Sequence, residues 1–286
     1  MSNASAAVRA QPLHDRLSKR NFDRLSAFIY RYSGIKMPQT KHTMLEGRLR
    51  RRLRATNIVS FDDYCDYVFD HGGLETELVH LVDAVTTNKT DFFREPKHFD
   101  YMRDHALPAL IRDGATRIRT WSSACSTGAE PYTMAMVLEA FFENRRDGSY
   151  SILATDLSTD VLEKAKLGIY PSELVEPVPE PMRRRHLMAA ADPTRREVRV
   201  APALRAKIGF ARLNLMDQRY SVGEPMHIIF CRNVLIYFDK ETQAKVLHRL
   251  CDCLVPGGYL LIGHSETIAG LNLPVRTVAN TVFQRI

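Results

Sequence analysis

The sequence predicts an α/β chain in two parts: a block of short helices, then a doubly wound, mostly parallel sheet with a subdomain inserted in it. Three observations predict this. Apolar residues recur at helical spacing as far as residue 86. From about Thr116 strand patterns alternate with helical ones. About 40 proline-rich residues then interrupt the alternation, too many for a structureless loop in a compact domain.

Residues 1–20 are polar and rich in Ser and Ala, and read as a flexible tail. Phe22, Leu25, Phe28, Ile29 and Tyr32 share one helical face, which Ser33-Gly34 can end. Met44, Leu45, Leu49 and Leu53 form a second stripe. Ser60-x-x-Asp63 resembles a capping box before Tyr64, Tyr67 and Val68. After the Gly72-Gly73 break, Leu74, Leu78, Leu81, Val82 and Val85 make a fourth face. Such short helices promise little core of their own and are expected to lean on the next domain. Strands follow at Arg117–Ser122, Ser151–Thr155, Ile208–Arg212, His227–Cys231 and Tyr259–Gly263. A closing hairpin is expected from Arg276–Val278 and Val282–Arg285. Helical patterns lie between strands at Pro131–Phe142, Thr159–Leu167 and Lys240–Leu254. The interruption holds Pro171, Pro177, Pro179, Pro181, Pro193 and Pro202, with Glu197–Val200 alternating like a small exposed strand.

Charge is uneven along the chain. The net charge is +7 over 286 residues, a mild bias toward acidic partners. Arg9–Arg54 carries a net of +10, Ala55–Thr86 a net of −7, and Met182–Lys207 a net of +6. No run approaches 18 apolar residues, so membrane insertion is not expected. Five scattered cysteines lack a second pair at zinc spacing and suggest a reduced, cytoplasmic chain. No recognition-helix or RNA-binding motif accompanies the basic residues, which argues against nucleic acid.

The segment Trp121-Ser122-Ser123-Ala124-Cys125-Ser126-Thr127-Gly128-Ala129-Glu130-Pro131 leads a strand through a small-residue loop into a helix. Pro131 suits a first helical turn. Such a turn is where open α/β sheets bind nucleotide-like ligands. The phosphate-cradling glycines and lysine are absent. An adenosine ligand without phosphates, such as S-adenosylmethionine, needs only the one close approach at Gly128. Asp156, at the end of the next strand, is placed for two ribose hydroxyls or, alternatively, to cap the following helix. Glu130 is placed for the ligand's ammonium or, alternatively, simply favours the helix N-terminus. Cys231-Arg232-Asn233-Val234-Leu235-Ile236-Tyr237-Phe238 ends the fourth sheet strand and lacks the Asn/Asp-Pro-Pro-Tyr string of many amine methylators. Cys125 and Cys231 read as packing residues. In Asn88-Lys89-Thr90-Asp91-Phe92-Phe93-Arg94-Glu95-Pro96, the polar residues alone read as helix caps.

Asn88-x-Thr90-x-Phe92-Phe93-Arg94, Ser126-Thr127-Gly128-x-Glu130-Pro131-Tyr132 and Cys231-Arg232-Asn233-Val234-x-Ile236-Tyr237-Phe238-Asp239, in this order, resemble the chemotaxis receptor methyltransferases, the CheR family of protein-glutamate O-methyltransferases. Pro256-x-Gly258-x-Leu260 and Gly263-His264-Ser265-Glu266 add to the resemblance. It implies an all-helical domain at 21–86 and a linker at 87–100 that joins the cofactor site. It further implies a Rossmann-like S-adenosylmethionine-dependent methyltransferase domain at 101–286, with an antiparallel β-subdomain inserted at about 172–207. Cofactor contacts implied are Asn88, Thr90, Arg94, Glu130, Asp156, Asn214, Leu215, Arg232 and Asn233. Tyr237 matches a position beside the transferred methyl, and Arg94 is the candidate for orienting a carboxylate. The nucleophile would be a receptor glutamate, the product S-adenosylhomocysteine, with no metal and no general base. Arg48, Arg51 and Arg54, on the basic helix with Lys41, Arg50 and Arg52, would meet acidic receptor helices. In some members the β-subdomain docks a receptor C-terminal peptide, although Ala189-Ala190-Ala191 stands where those members tend to be glycine-rich. The rival readings are a methyltransferase acting on RNA or a small molecule, and a non-enzymatic S-adenosylmethionine-sensing adaptor.

Overall fold

A computed structural model describes residues 15–143, 145, 148–192 and 194–286. Most of the expected tail, residues 1–14, lies outside them. The chain divides into two compact units at Thr86/Thr87. The expected tail gives way early: Leu17 is buried, its N–H donates to Glu46, and Ser18 caps the first helix by accepting from the Asn21 N–H.

The first unit holds α1 (Lys19–Ser33), α2 (His42–Thr56), α3 (Phe61–Asp70) and α4 (Leu74–Val85). Gly34 and Asn57 end α1 and α2 in the left-handed conformation that terminates helices. Ser60 and Asp63 form the expected N-terminal cap of α3. The expectation of little core was wrong. Phe22, Leu25, Leu45, Leu49, Leu53, Phe61, Tyr64 and Leu81 are all but fully buried against one another. Each helix is short, but four stripes of large side chains converge, and convergence is not visible one helix at a time.

Much of the α2 positive charge holds this unit together. Arg52 makes a two-pronged bond to Glu77, at 2.9 and 2.7 Å, and the Tyr64 hydroxyl donates to the same carboxylate. Arg50 reaches Glu46 and the Asp15 carbonyl. Arg48 donates to the Ala84 and Thr86 carbonyls at the C-terminal end of α4.

In the second unit, α5 (Lys97–Tyr101), a π turn (Met102–Ala106) and α6 (Leu107–Arg112) run on from one another. The sequence reading put no helix here. The signal was present, since Phe99, Met102, Ala106, Leu107 and Leu110 are buried at helical spacing. Pro108 obscured it. The π turn accommodates the missing proline N–H, with the Leu107 N–H bonding back to Met102.

The strands are β1 (Arg117–Ser122), β2 (Ser149–Asp156), β3 (Ile169–Pro171), β4 (Leu187–Ala189), β5 (Glu197–Val200), β6 (Ile208–Arg212), β7 (Met226–Cys231), β8 (Leu254–Ile262), β9 (Val275–Ala279) and β10 (Val282–Arg285). Between them lie α7 (Ala129–Phe142), α8 (Thr159–Leu167), α9 (Glu180–His186), α10 (Pro202–Arg205) and α11 (Lys240–Asp252). Seven strands form the main sheet in the order β6-β2-β1-β7-β8-β10-β9. The first five run parallel, while β10 lies antiparallel to both β8 and β9, as the hairpin requires. The inserted segment makes a separate antiparallel sheet, β3-β5-β4. It starts at Ile169, just before the expected boundary.

β7 is buried at every position, as expected for a strand covered on both faces, and α7 is buried along most of its length. The strand order reverses between β1 and β7. Their carboxyl ends therefore diverge and open a crevice, the usual ligand position in such sheets.

Replacing Glu77 by Gln should cost the helical unit about 2 kcal/mol at neutral pH, because Arg52 loses a buried partner. Although burial opposes ionisation, Arg52 and Tyr64 hold the Glu77 carboxyl below the usual carboxylate range. A lowered carboxyl pKa stabilises fully above the unfolded value, near 4.3, and less as pH falls through the folded value. Urea denaturation should show the gap between wild type and variant narrowing from about pH 5 towards pH 3.

Candidate active site

The crevice between β1 and β7 gathers residues from four segments. The central group is the Arg232 guanidinium, which follows β7 and is 1 % exposed. It donates to Glu130 at 3.0 Å, to Glu95 at 3.0 and 3.3 Å, and to the Arg94 carbonyl. Phe99 and Phe230 flank it, their rings stacked at 5.4 Å. One cation thus ties the strand end to the linker and to the first turn of α7. Burial opposes ionisation of Glu95, yet Arg232 and the Asn233 and His264 N–H groups hold its carboxyl below the usual range. Burial pushes the Glu130 carboxyl up, against the pull of Arg232 and of Ser122, whose hydroxyl donates at 2.6 Å.

A second buried carboxylate shapes the loop after Arg232. Glu266 accepts from the backbone N–H groups of Gly263, Asn233, Leu235 and Ile236, at 2.6, 3.0, 2.7 and 3.4 Å. Asn233 sits at φ 58° and its amide donates to Glu95. Leu235, Ile236 and Tyr237 form a single tight helical turn, with Tyr237 half-buried and Ile236 54 % exposed. Asp239 caps α11 by accepting from the Thr242 N–H.

On the other side of the crevice, Asp156 accepts from the Ser126 N–H at 2.8 Å and the Ser158 N–H at 3.0 Å. It therefore organises two loops, while Ser158 provides the α8 cap itself. The Leu213 N–H bonds the Asp156 carbonyl, which brings Asn214 and Leu215 to this edge. The Asn214 side chain accepts from the Met216 N–H, and the Tyr220 hydroxyl from below bonds the Leu215 carbonyl.

Gly128 lies at φ 93°, where L residues are strained. A Cβ there would stand 2.9 Å from both the Ala165 Cβ and the Tyr170 hydroxyl. The close approach that this glycine permits is therefore to α8 and β3, a role the sequence reading gave wholly to a ligand. Tyr170 also donates to the Thr127 carbonyl at 2.6 Å, so the inserted sheet supports the loop.

The linker folds onto this unit. The Ser126 hydroxyl donates to the Asn88 carbonyl, and the Phe93 N–H to the Thr133 hydroxyl. Phe92 is buried edge-on to Tyr170. Arg94 reaches back to the Lys89 carbonyl, and Thr90 is half-buried beside it in sequence. Phe93, Glu95, Ser126 and Asn233 all have φ between 50° and 58°, each at a cost of about 1–2 kcal/mol. Clustered strain of this kind marks functional sites.

Of the residues singled out in the sequence, Asn88, Arg94, Gly128, Glu130, Asp156, Asn214, Leu215, Arg232 and Asn233 are joined by these bonds or lie on the bonded loops. Arg48, Arg51 and Arg54 belong to the helical unit. Sequence reasoning missed Glu95 and Glu266 as organising groups. Both stood inside quoted strings, but nothing local marks a carboxylate whose partners lie far along the chain. Cys125 and Cys231 are buried and burial pushes both thiols up, which fits packing. Burial and the nearby Arg232 push His98 down to about 4, so it is neutral at physiological pH.

A doubly wound sheet with an antiparallel closing hairpin and a carboxylate-lined switch point defines the class of Rossmann-like methyltransferases. The model of the CheR methyltransferase S-adenosylmethionine-binding domain matches residues 88–283, and that of the CheR all-alpha domain matches residues 20–86. The chain belongs to the CheR methyltransferase family. It is 38% identical over 267 residues to chemotaxis protein methyltransferase 2 of Pseudomonas aeruginosa, covering 93% of each chain. It is 36% identical over 263 residues to the chemotaxis protein methyltransferase of Borreliella burgdorferi, covering 90% of this chain and 92% of the relative. The Escherichia coli chemotaxis protein methyltransferase is 38% identical over 269 residues, covering 93% of this chain and 91% of the relative.

Replacing Arg232 by Lys keeps the charge but loses the planar fork that serves Glu95, Glu130 and Arg94 together. Calorimetry should show a loss of about 2 kcal/mol, some 4–8 °C in melting temperature. Titration with S-adenosylhomocysteine should show roughly tenfold weaker binding for the same variant.

Proposed function

We propose that this chain is a cytoplasmic enzyme that methylates chemoreceptors. It transfers the methyl group of S-adenosylmethionine to specific glutamate side chains on their cytoplasmic helices, giving methyl esters and S-adenosylhomocysteine. The observation that carries this reading is the match to both family domains, with the matched strings converging on the Arg232 crevice. Among the described residues, no helix is long and apolar enough to cross a membrane.

In this reading Asp156, held in place by the Ser126 and Ser158 N–H groups, takes the ribose hydroxyls. Glu130 takes the methionine ammonium from its position against Arg232. Gly128, Asn214, Leu215 and Asn233 supply backbone and side-chain contacts around the adenosine. Asn88, Thr90 and Arg94 close the site from the linker. A glutamate carboxylate is ionised at neutral pH, so the reaction needs no general base. The task is to hold oxygen, methyl carbon and sulfur in line. Arg94 orients a carboxylate, and Tyr237 shapes the methyl position with one hydrogen bond. Neither step calls for a metal.

For the receptor, Arg51 and Arg54 are the better contact candidates. Both are exposed, whereas Arg48 already serves the α4 carbonyls. The β-subdomain offers a docking place for a receptor C-terminal peptide, because β4 is an edge strand with Met188 exposed.

The nature of the product decides the main reading. Receptor-containing membranes incubated with labelled cofactor should yield label released as methanol in mild alkali. Alkali-stable label would instead identify methylation at nitrogen, as expected of an RNA or other amine substrate, and normal cofactor binding with no turnover would identify an adaptor.

A second measurement concerns the basic helix. Arg51→Glu with Arg54→Glu should lower receptor methylation about tenfold at low salt and leave S-adenosylhomocysteine affinity unchanged. Equal rates for wild type and this double variant would remove the helix from receptor recognition.

A further inference from the structure

Beside the Arg232 network, Glu95, His98 and His264 converge from the linker, α5 and the loop after β8. One ligand atom from each lies within 4.8 Å of the others. His98 is 1 % exposed. Its Nε2 is 2.8 Å from the Thr281 hydroxyl oxygen. That hydroxyl donates its own proton to the Asn280 carbonyl. In the tautomer that carries its proton on Nε2, His98 donates to this hydroxyl and Nδ1 keeps a lone pair.

This lone pair has no hydrogen-bond partner, although it is buried. It faces the Glu95 Oε2 at 3.4 Å. In that tautomer two acceptors face each other with no proton between them, and a cation between them relieves the conflict. Their spacing fits a small divalent cation such as zinc. In a tetrahedral zinc site with bonds of 2.0–2.1 Å, two ligand atoms stand about 3.3–3.4 Å apart. The Nε2–H bond of His98 is the outer-sphere anchor that metal-ligating histidines usually have. His264 is exposed, and its ring lies 4.8 Å from that of His98 at 73°. It approaches from the solvent side, where a cleft of about 570 Å³, lined also by Asp100, Tyr101 and His105, gives an entry path.

We propose that Glu95 Oε2, His98 Nδ1 and His264 form a site for a zinc-class divalent cation, with the fourth position open to the cleft. The ion is no part of methyl transfer. Arg232 competes for the same Glu95 oxygen, which keeps the affinity moderate rather than structural.

The test uses the full chain after chelator treatment and dialysis. Titration calorimetry with zinc should find one ion per chain, and His264→Ala should weaken it roughly tenfold or more. Since His264 is exposed, that variant should melt at the wild-type temperature in the absence of metal. Cobalt(II) added to wild type should give visible absorption of tetrahedral type without the near-ultraviolet thiolate band that a site at Cys251 or Cys253 would produce. His98→Gln serves as a second variant, with the same loss expected. Absence of zinc binding, equal binding by His264→Ala, or a thiolate band would overturn the proposal. The experiment involves no receptor and no cofactor, so its outcome is independent of the methylation reading.

Discussion

A buried guanidinium cannot be left without partners, and Arg232 is the one on which the second unit depends. Removing such a group from water costs several kcal/mol unless carboxylates and carbonyls replace the lost hydration. Here Glu130 comes from the first turn of α7, Glu95 and the Arg94 carbonyl from the linker. None of these segments is near Arg232 in sequence. Each is needed before any of the others is satisfied, so the linker, the helix start and the strand end form together or not at all. The crevice at the strand-order reversal is thereby given fixed walls.

The same logic runs through the neighbouring loops. Glu266 satisfies three backbone N–H groups in the sharp turn after β7, those of Asn233, Leu235 and Ile236, and the Gly263 N–H just after β8. Asp156 does the corresponding work for the loops after β1 and β2. Four non-glycine residues stay in the left-handed region because these carboxylates and Arg232 fix their positions. The rigid sheet beneath, with Trp121 bonded to Thr155 and Phe230 stacked on Phe99, gives that strain something to be held against. Preorganisation of this kind keeps the walls of the crevice in one geometry.

In the helical unit the charge pattern divides by structure. Arg48, Arg50 and Arg52 look equivalent to Arg51 and Arg54 in sequence. Three of them satisfy carbonyls and carboxylates of their own unit, while Arg51 and Arg54 face solvent. A count of positive charge along α2 therefore overstates the surface left for a partner.

The sequence by itself determined the periodic features: the four helical stripes, the parallel strands, the closing hairpin and one strand of the insertion, because burial on one face repeats every 3.6 or every 2 residues. It also determined the loop residues at the crevice, since unusual strings in a fixed order are local. It did not reveal the helix running from Lys97 past Pro108, where a π turn hides a proline that local rules forbid. Nor did it reveal that Gly128 makes room for Ala165 and Tyr170, or that Glu95 serves Arg232, Asn233 and the His264 N–H at once. Those assignments needed tertiary structure, for a physical reason. A buried charge or a missing Cβ is explained by whatever lies across the fold from it, and that partner is set by packing, not by distance along the chain.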